Sequence, residues 1–152
     1  MALNIAGILD ATVSHAQGLG LFERVNTHEP ENAPGNGLSA AVTVAEVTPI
    51  PGASGLAGTT GRLTLNVMIF APVPQEPADD IEPLLVAGVD ALFTAYSSDF
   101  ELGERVRNVD LLGAHGTPLS ATTGYVTIDA QTYRVAIVTL PLIVNDLWGQ
   151  AP

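Results

Sequence analysis

Ile81-Glu-Pro-Leu-Leu-Val-Ala-Gly-Val-Asp-Ala-Leu-Phe-Thr-Ala-Tyr96 is the stretch on which the fold turns. Ile81, Leu84, Leu85, Gly88, Val89, Leu92, Phe93 and Tyr96 recur at i, i+3, i+4 and i+7, the spacing of an amphipathic helix with one face on a core. Asp79 and Asp80 fall in its first turn, where carboxylates favour the positive end of the helix dipole. Such a helix needs a surface to lie on, and the residues on either side supply strands.

Upstream, Leu63, Leu65, Val67 and Ile69 alternate with Arg62, Thr64 and Asn66, the period of a half-buried sheet. Met68 and Phe70 break the polar side, so something is expected to pack there too. Before it, Ser39–Thr48 reads as a strand with Ala40, Val42 and Val44 on one side and Thr43 and Val47 on the other. Pro49–Gly58 is a connection, and Pro72–Pro77 stops the longer strand. Closer to the start, Ile5, Ile8, Leu9, Thr12, Val13 and Ala16 predict a helix over about residues 4–17, with Asn4 as cap and Gly18 as stop. A short strand at Leu21–Val25 and a Pro/Gly/Asn-rich loop at His28–Gly37 follow.

Downstream, strands are expected at Arg105–Leu111, Tyr125–Asp129 and Tyr133–Leu140, the last two joined as a hairpin across Asp129–Thr132. Val135–Val138 is apolar on both faces, which predicts a central strand covered on both sides. The order α-β-β-β-α-β-β-β gives an α+β fold, an antiparallel or mixed β-sheet flanked by two helices. One domain over residues 1–152 fits the length.

Composition narrows the function. Five basic residues, all arginine, against sixteen acidic ones leave a net charge of −11. Binding to phosphate backbones or anionic lipid normally needs a basic patch, so neither nucleic acid nor membrane is an expected direct partner. With no cysteine, disulfides and thiolate metal sites are excluded. The N-terminus lacks the pattern of a signal peptide, and the longest apolar run, Val135–Val144, is interrupted by Thr139 and Pro141.

Fragments that look catalytic fail on their chemistry. His28-Glu29 opens like a zinc-protease HExxH, but Asn32 replaces the second histidine and Pro30 prevents the helix. Gly52-Ala-Ser-Gly55-Leu-Ala-Gly58 is glycine-rich, yet a chain without lysine has no Walker A loop. Ser14-His15 lies inside the first helix, with no GxSxG elbow anywhere. His115 in Gly113-Ala-His-Gly116 would need distant partners to bind a metal. Glu76, Asp79, Asp80 and Glu82 lack the Asp/Asn-Gly spacing of a calcium loop. No catalytic residue, cofactor or metal is therefore expected.

Five runs in order carry a resemblance. They are Ser14-His-Ala-Gln-Gly-Leu-Gly-Leu-Phe22 into Val25-Asn-Thr-His-Glu-Pro30; Ala33-Pro-Gly-Asn-Gly-Leu38 with Ala40-Ala-Val42; and Ser54-Gly-Leu56. Next come Asp99-Phe-Glu-Leu-Gly103 with Val106-Arg-Asn-Val-Asp-Leu-Leu-Gly113, the most specific, and finally Tyr133-Arg-Val135, Leu140-Pro141 and Val144-Asn-Asp-Leu-Trp148. Together they resemble the tail terminator proteins of actinobacterial long-tailed bacteriophages, often labelled minor tail proteins. Thr43 departs from that pattern, standing where relatives carry an aromatic after the valine.

The resemblance implies a structural virion protein and no enzyme. It implies a homo-oligomeric ring, usually of six subunits, at the head-proximal end of the tail and assembled in the host cytoplasm. The ring caps the tail tube, stops its polymerisation and meets the head-completion protein, and genomic DNA passes through its channel without specific binding. Six copies would carry 6 × −11 = −66 formal charges. Duplex DNA bears about one negative charge per 1.7 Å of axis, so an acidic lining would let it slide.

A head-to-tail ring needs two different faces on each subunit. Candidate interface residues are His28, Glu29, Pro30 and Pro34 of the proline-rich loop, and Arg105, Arg107 and Asp110 of the strand after the second helix. Arg62 from the third strand and Trp148 in a tail after Pro141 complete the set. Each has a plainer reading: a solvated loop, ordinary surface arginines, or a Trp148 that closes its own subunit's core. Rival functions are a head-closure, tail-completion or tube protein of the same particle, a soluble ligand-binding α+β module and, last, a small hydrolase.

Overall fold

The computed structural model describes residues 3–27, 38–50, 59–72 and 81–148. Among them the elements run α1 (Ile5–Gly18), β1 (Phe22–Asn26), β2 (Leu38–Pro49), β3 (Thr59–Pro72), α2 (Ile81–Ser98), β4 (Asn108–Val109), β5 (Ser120–Ile128) and β6 (Gln131–Leu147). The His28–Gly37 loop, nearly all of the Pro49–Gly58 connection, most of Pro72–Pro77, and Asp79 and Asp80 lie outside the described residues.

The strands form one mixed sheet in the order β1-β2-β3-β6-β4, with β5 pairing β6 beside β4. β1 and β2 are parallel, and every other pair is antiparallel. The chain is an α+β domain. Both helices lie on one face of the sheet. There Ile8, Ala11 and Ala16 of α1 and Leu85, Leu92 and Tyr96 of α2 meet Leu63, Leu65, Val67, Ile69, Ala136, Val138, Leu140 and Leu142. The opposite face holds a smaller cluster of Ala41, Phe70, Tyr133 and Val135, flanked by Met68, Val126, Ile128 and Ile137. Both faces of β6 are thus buried, as the apolar run Val135–Val138 predicts, and Phe70 finds the packing its place implies.

Asn4 caps α1, its Oδ1 accepting the Gly7 N–H at 3.2 Å. Gly20, at φ +69, turns the chain after the helix into β1. Pro83 stands third in α2, within the first turn, where a missing N–H breaks no helical hydrogen bond. Of the stripe expected on α2, Leu85, Gly88, Leu92 and Tyr96 are buried, whereas Leu84 is on the exposed side. The two helices are tied by polar contacts. The buried Tyr96 hydroxyl donates to Thr12 O at 3.1 Å, and burial pushes that phenol's pKa well above its ordinary value. His15 stacks on the Tyr96 ring, with Nε2 2.9 Å from Asp99 Oδ2 and Nδ1 2.8 Å from Ala11 O. His15 is a core-edge residue that joins α1 to the end of α2.

Three expectations are corrected. The first concerns β2, where the register slips between Val44 and Glu46. The extra residue of this bulge returns Val47, opposite Leu63, to the side shared by Val42 and Val44, so Val47 does not face away from them. The second concerns Arg105–Leu111, where just Asn108–Val109 joins the sheet. Leu102, Gly103 and Glu104 have φ of 48, 67 and 67°, a left-handed turn that folds the N–H groups of Arg105 and Val106 back onto Glu101 O. Val106 and Val109, three residues apart, are buried at either end of a bend, a spacing that one face of a strand does not have.

The third correction concerns β6, which runs through Pro141 to Leu147. Pro141 falls between the last β5 partner, Thr139, and the first β4 partner, Leu142. Its carbonyl accepts from Asp110 N at 2.9 Å on that side, so the N–H it lacks would have pointed into the gap between two strands.

Candidate interface site

The turn after α2 is built from the bottom up by Asp99. Its Oδ1 accepts the Gly103 N–H at 3.2 Å while Oδ2 meets His15, and the turn drives Leu102 fully into the core. Left-handed backbone at a leucine and a glutamate costs about 1–2 kcal/mol per residue, offset here by burial of Leu102 and Val106. The result is a displayed segment, Glu104–Arg107, beside the N-terminus of α1 and the last residues of β6. Together Asn4, Ile8, Glu104, Arg105, Val106, Arg107, Val144, Asn145 and Leu147 line an open cleft of about 310 Å³.

Arg105 and Arg107 are exposed at this cleft, and among the described residues neither makes an ion pair. A Cβ added at Gly7 would lie 3.1 Å from Arg105 Nη1, so the Arg105 guanidinium sits over the first turn of α1. The two arginines do not share one strand face as expected. They leave a turn and a bend, held by Arg105 N to Glu101 O at 3.0 Å and Arg107 N to Ile143 O at 2.7 Å.

Arg62 and Asp110 are engaged within the chain. Arg62 donates from Nη2 to Glu46 Oε1 at 2.8 Å and from Nη1 to the His115 carbonyl at 2.7 Å, and its buried Nε–H has no acceptor among the described residues. Asp110 is buried, and its two oxygens accept the N–H groups of Ala114 and His115 at 2.8 and 2.9 Å. That carboxylate shapes the loop between β4 and β5. Trp148 is 38% exposed and lies across Gly61, where an added Cβ would come within 3.2 Å of its ring. The tail expected after Pro141 is strand as far as Leu147, and Trp148, which follows it directly, is not a core residue. His28, Glu29, Pro30 and Pro34 lie outside the described residues.

Sequence reasoning missed Asn4, Glu104 and Asn145 as neighbours of the two arginines. Nothing in a leucine or a glutamate announces left-handed backbone, and only Gly103 hinted at the turn. Arg134, also unremarked, donates from Nε to Glu82 Oε1 at 2.7 Å and lies over the Tyr125 ring at 4.6 Å. The Glu82 hydrogen bond raises its already high pKa. Among the described residues no three His, Asp or Glu side chains converge as a metal set, and no helix is long and apolar enough to cross a membrane. No protein-family model matches the chain, and no curated protein matches it significantly.

Proposed function

We propose that this chain is a structural, non-enzymatic virion protein, the ring-forming tail terminator of a long-tailed bacteriophage. In this reading copies of the chain, six to a ring, cap the tail tube, stop its growth and offer the opposite surface to a head-completion protein. Part of the acidic excess lines the channel and keeps passing DNA from sticking; a neutral or basic lumen in the assembled ring would remove that part of the proposal.

The observation that carries the reading is the state of Arg105 and Arg107. In a chain of net charge −11, three of five arginines, Arg24, Arg105 and Arg107, have no carboxylate partner among the described residues. Two of these three stand together on a cleft, held there by a strained turn. Planar guanidinium forks in that position suit the carboxylates of another acidic subunit. The same segment, Asp99–Gly113, is where the chain most resembles tail terminators, so chemistry and resemblance fall on one place.

Native mass spectrometry and a tube-capping assay test it. A hexamer that arrests growth of purified tail tubes supports the reading, and Arg105→Ala/Arg107→Ala should weaken assembly without changing the circular dichroism. A chain that stays single in the presence of tube ends, and leaves their growth unaltered, would sink it.

A further inference from the structure

We propose that the outer edge of β5 is a seam at which a strand from a second copy of this chain joins the sheet. The seam extends the assembly reading above and rests on it in expecting a second copy. β5 spans nine residues, Ser120–Ile128, and pairs only β6 among the described strands. Its sequence, Ser-Ala-Thr-Thr-Gly-Tyr-Val-Thr-Ile, has no charged residue and no proline, and its register against β6 runs from Ser120 to Ile128 without a bulge. Its own residues therefore carry no charge, proline or bulge of the kind that keeps an exposed edge from pairing. At about 3.3 Å per residue the edge is about 30 Å long.

The turn fixes which groups are free. Asp129 and Ala130 have φ of 54 and 64°, so a two-residue hairpin with both positions left-handed joins β5 to β6. In such a hairpin the flanking pair, Ile128 and Gln131, exchanges both hydrogen bonds. By alternation Ala121, Thr123, Tyr125 and Thr127 then direct their N–H and C=O away from β6. These are the groups an added strand would meet.

Charge selects the partner. An acidic copy meets like charge over much of another copy's surface, but β5 offers none. Arg134, whose charge is paired with Glu82 at 2.7 Å, donates to Thr123 Oγ1 and Gly124 O, both at 3.1 Å, and covers the exposed Tyr125 ring, so the charges beside the middle of the strand balance. An uncharged strand beside a balanced ion pair lets two chains of net charge −11 meet without like-charge repulsion, whereas a basic partner would be drawn to the acidic remainder of the surface.

The test combines edge-blocking variants with amide hydrogen exchange on the full chain. Thr123→Pro/Thr127→Pro removes two outward N–H groups and leaves the β6 ladder intact. It should weaken self-association by at least about thirtyfold in sedimentation, with unchanged circular dichroism. Thr127→Lys, which keeps the backbone unaltered, should weaken it in the same direction. In wild type the amides of Ala121, Thr123, Tyr125 and Thr127 should slow about tenfold or more on assembly. The seam is wrong if both variants assemble like wild type or if those amides exchange equally fast in single and assembled chains. It is also wrong if the wild-type chain never self-associates, or if protection appears only when a different protein is added. A ring that caps tubes with β5 unprotected would overturn the seam and spare the terminator reading. Copies joined through β5 that cannot cap a tube would uphold the seam and end the terminator reading.

Discussion

β1 and β5 stand at opposite ends of the sheet. β1 is five residues long, has a register shift between Phe22 and Arg24, and carries Glu23 and Arg24 in its sequence. β5 is nearly twice as long, regular and uncharged. Edges shaped like β1 resist pairing with other chains, because a bulge and charges spoil the ladder. An edge shaped like β5 invites it. The difference teaches that the two edges of one sheet can be built for different contacts, one guarded against strand pairing and the other open to it.

The sharpest way to break this comparison is to place the same residue in the centre and at the open edge. Val138→Pro in β6 should lower stability by about 3 kcal/mol or more in urea unfolding, since it removes a ladder bond and forces a ring into packed core. Thr123→Pro should lower it by less than about 1 kcal/mol, because the lost N–H faces outward. Equal losses would show that β5 is not a spare edge.

A smaller effect is expected at the loop that leads into β5. Asp110→Ala strips the acceptor from two N–H groups and leaves them next to a cavity, so a loss of about 2 kcal/mol in thermal melts is expected. Faster amide exchange at Ala114 and His115 should accompany it, and an unchanged exchange rate there would remove Asp110 from this role.

Ala130→Gly should act in the opposite direction. Alanine at φ 64° is strained where glycine is not, so a gain of about 1 kcal/mol in hairpin and domain stability is expected. A loss would mean that the turn is not the two-residue left-handed type from which the outward groups of β5 were deduced.

The smallest effect belongs to Arg134→Met. Its partner Glu82 is largely exposed, so folding stability should fall only slightly, and the difference should shrink further in salt. Self-association should weaken more than stability does. The reverse order would detach Arg134 from the edge.

Much of the architecture was legible in the residues. α2 was readable because its stripe from Leu85 to Tyr96 keeps helical spacing, and β3 because Leu63 to Ile69 keep a period of two. Val135–Val138, apolar on both faces, announced the central strand that β6 proves to be. The bulge in β2 was not readable, since Ala45 looks like any other strand residue until a partner strand sets the register. Of the candidate interface residues, Arg105 and Arg107 are exposed and make no ion pair among the described residues. Arg62 is held by Glu46 and the His115 carbonyl, contacts between positions the sequence does not bring together, and Asp110 is buried by the fold of its own loop onto the 114–115 backbone.

Periodicity, composition and charge by themselves determined an α+β domain with an acidic surface and a double-faced central strand. These are local properties, set by how side chains repeat along a helix or a strand and by a count of ionisable groups. Tertiary structure alone decided the left-handed turn at Leu102–Glu104, the passage of β6 through Pro141, and which edge of the sheet stands open. Each depends on what lies across from a residue: a pocket that takes Leu102, a gap between β4 and β5, and, among the described residues, no strand beyond β5. Such relations arise from long-range packing, whose energy outweighs local preference and leaves no mark on the spacing of residues.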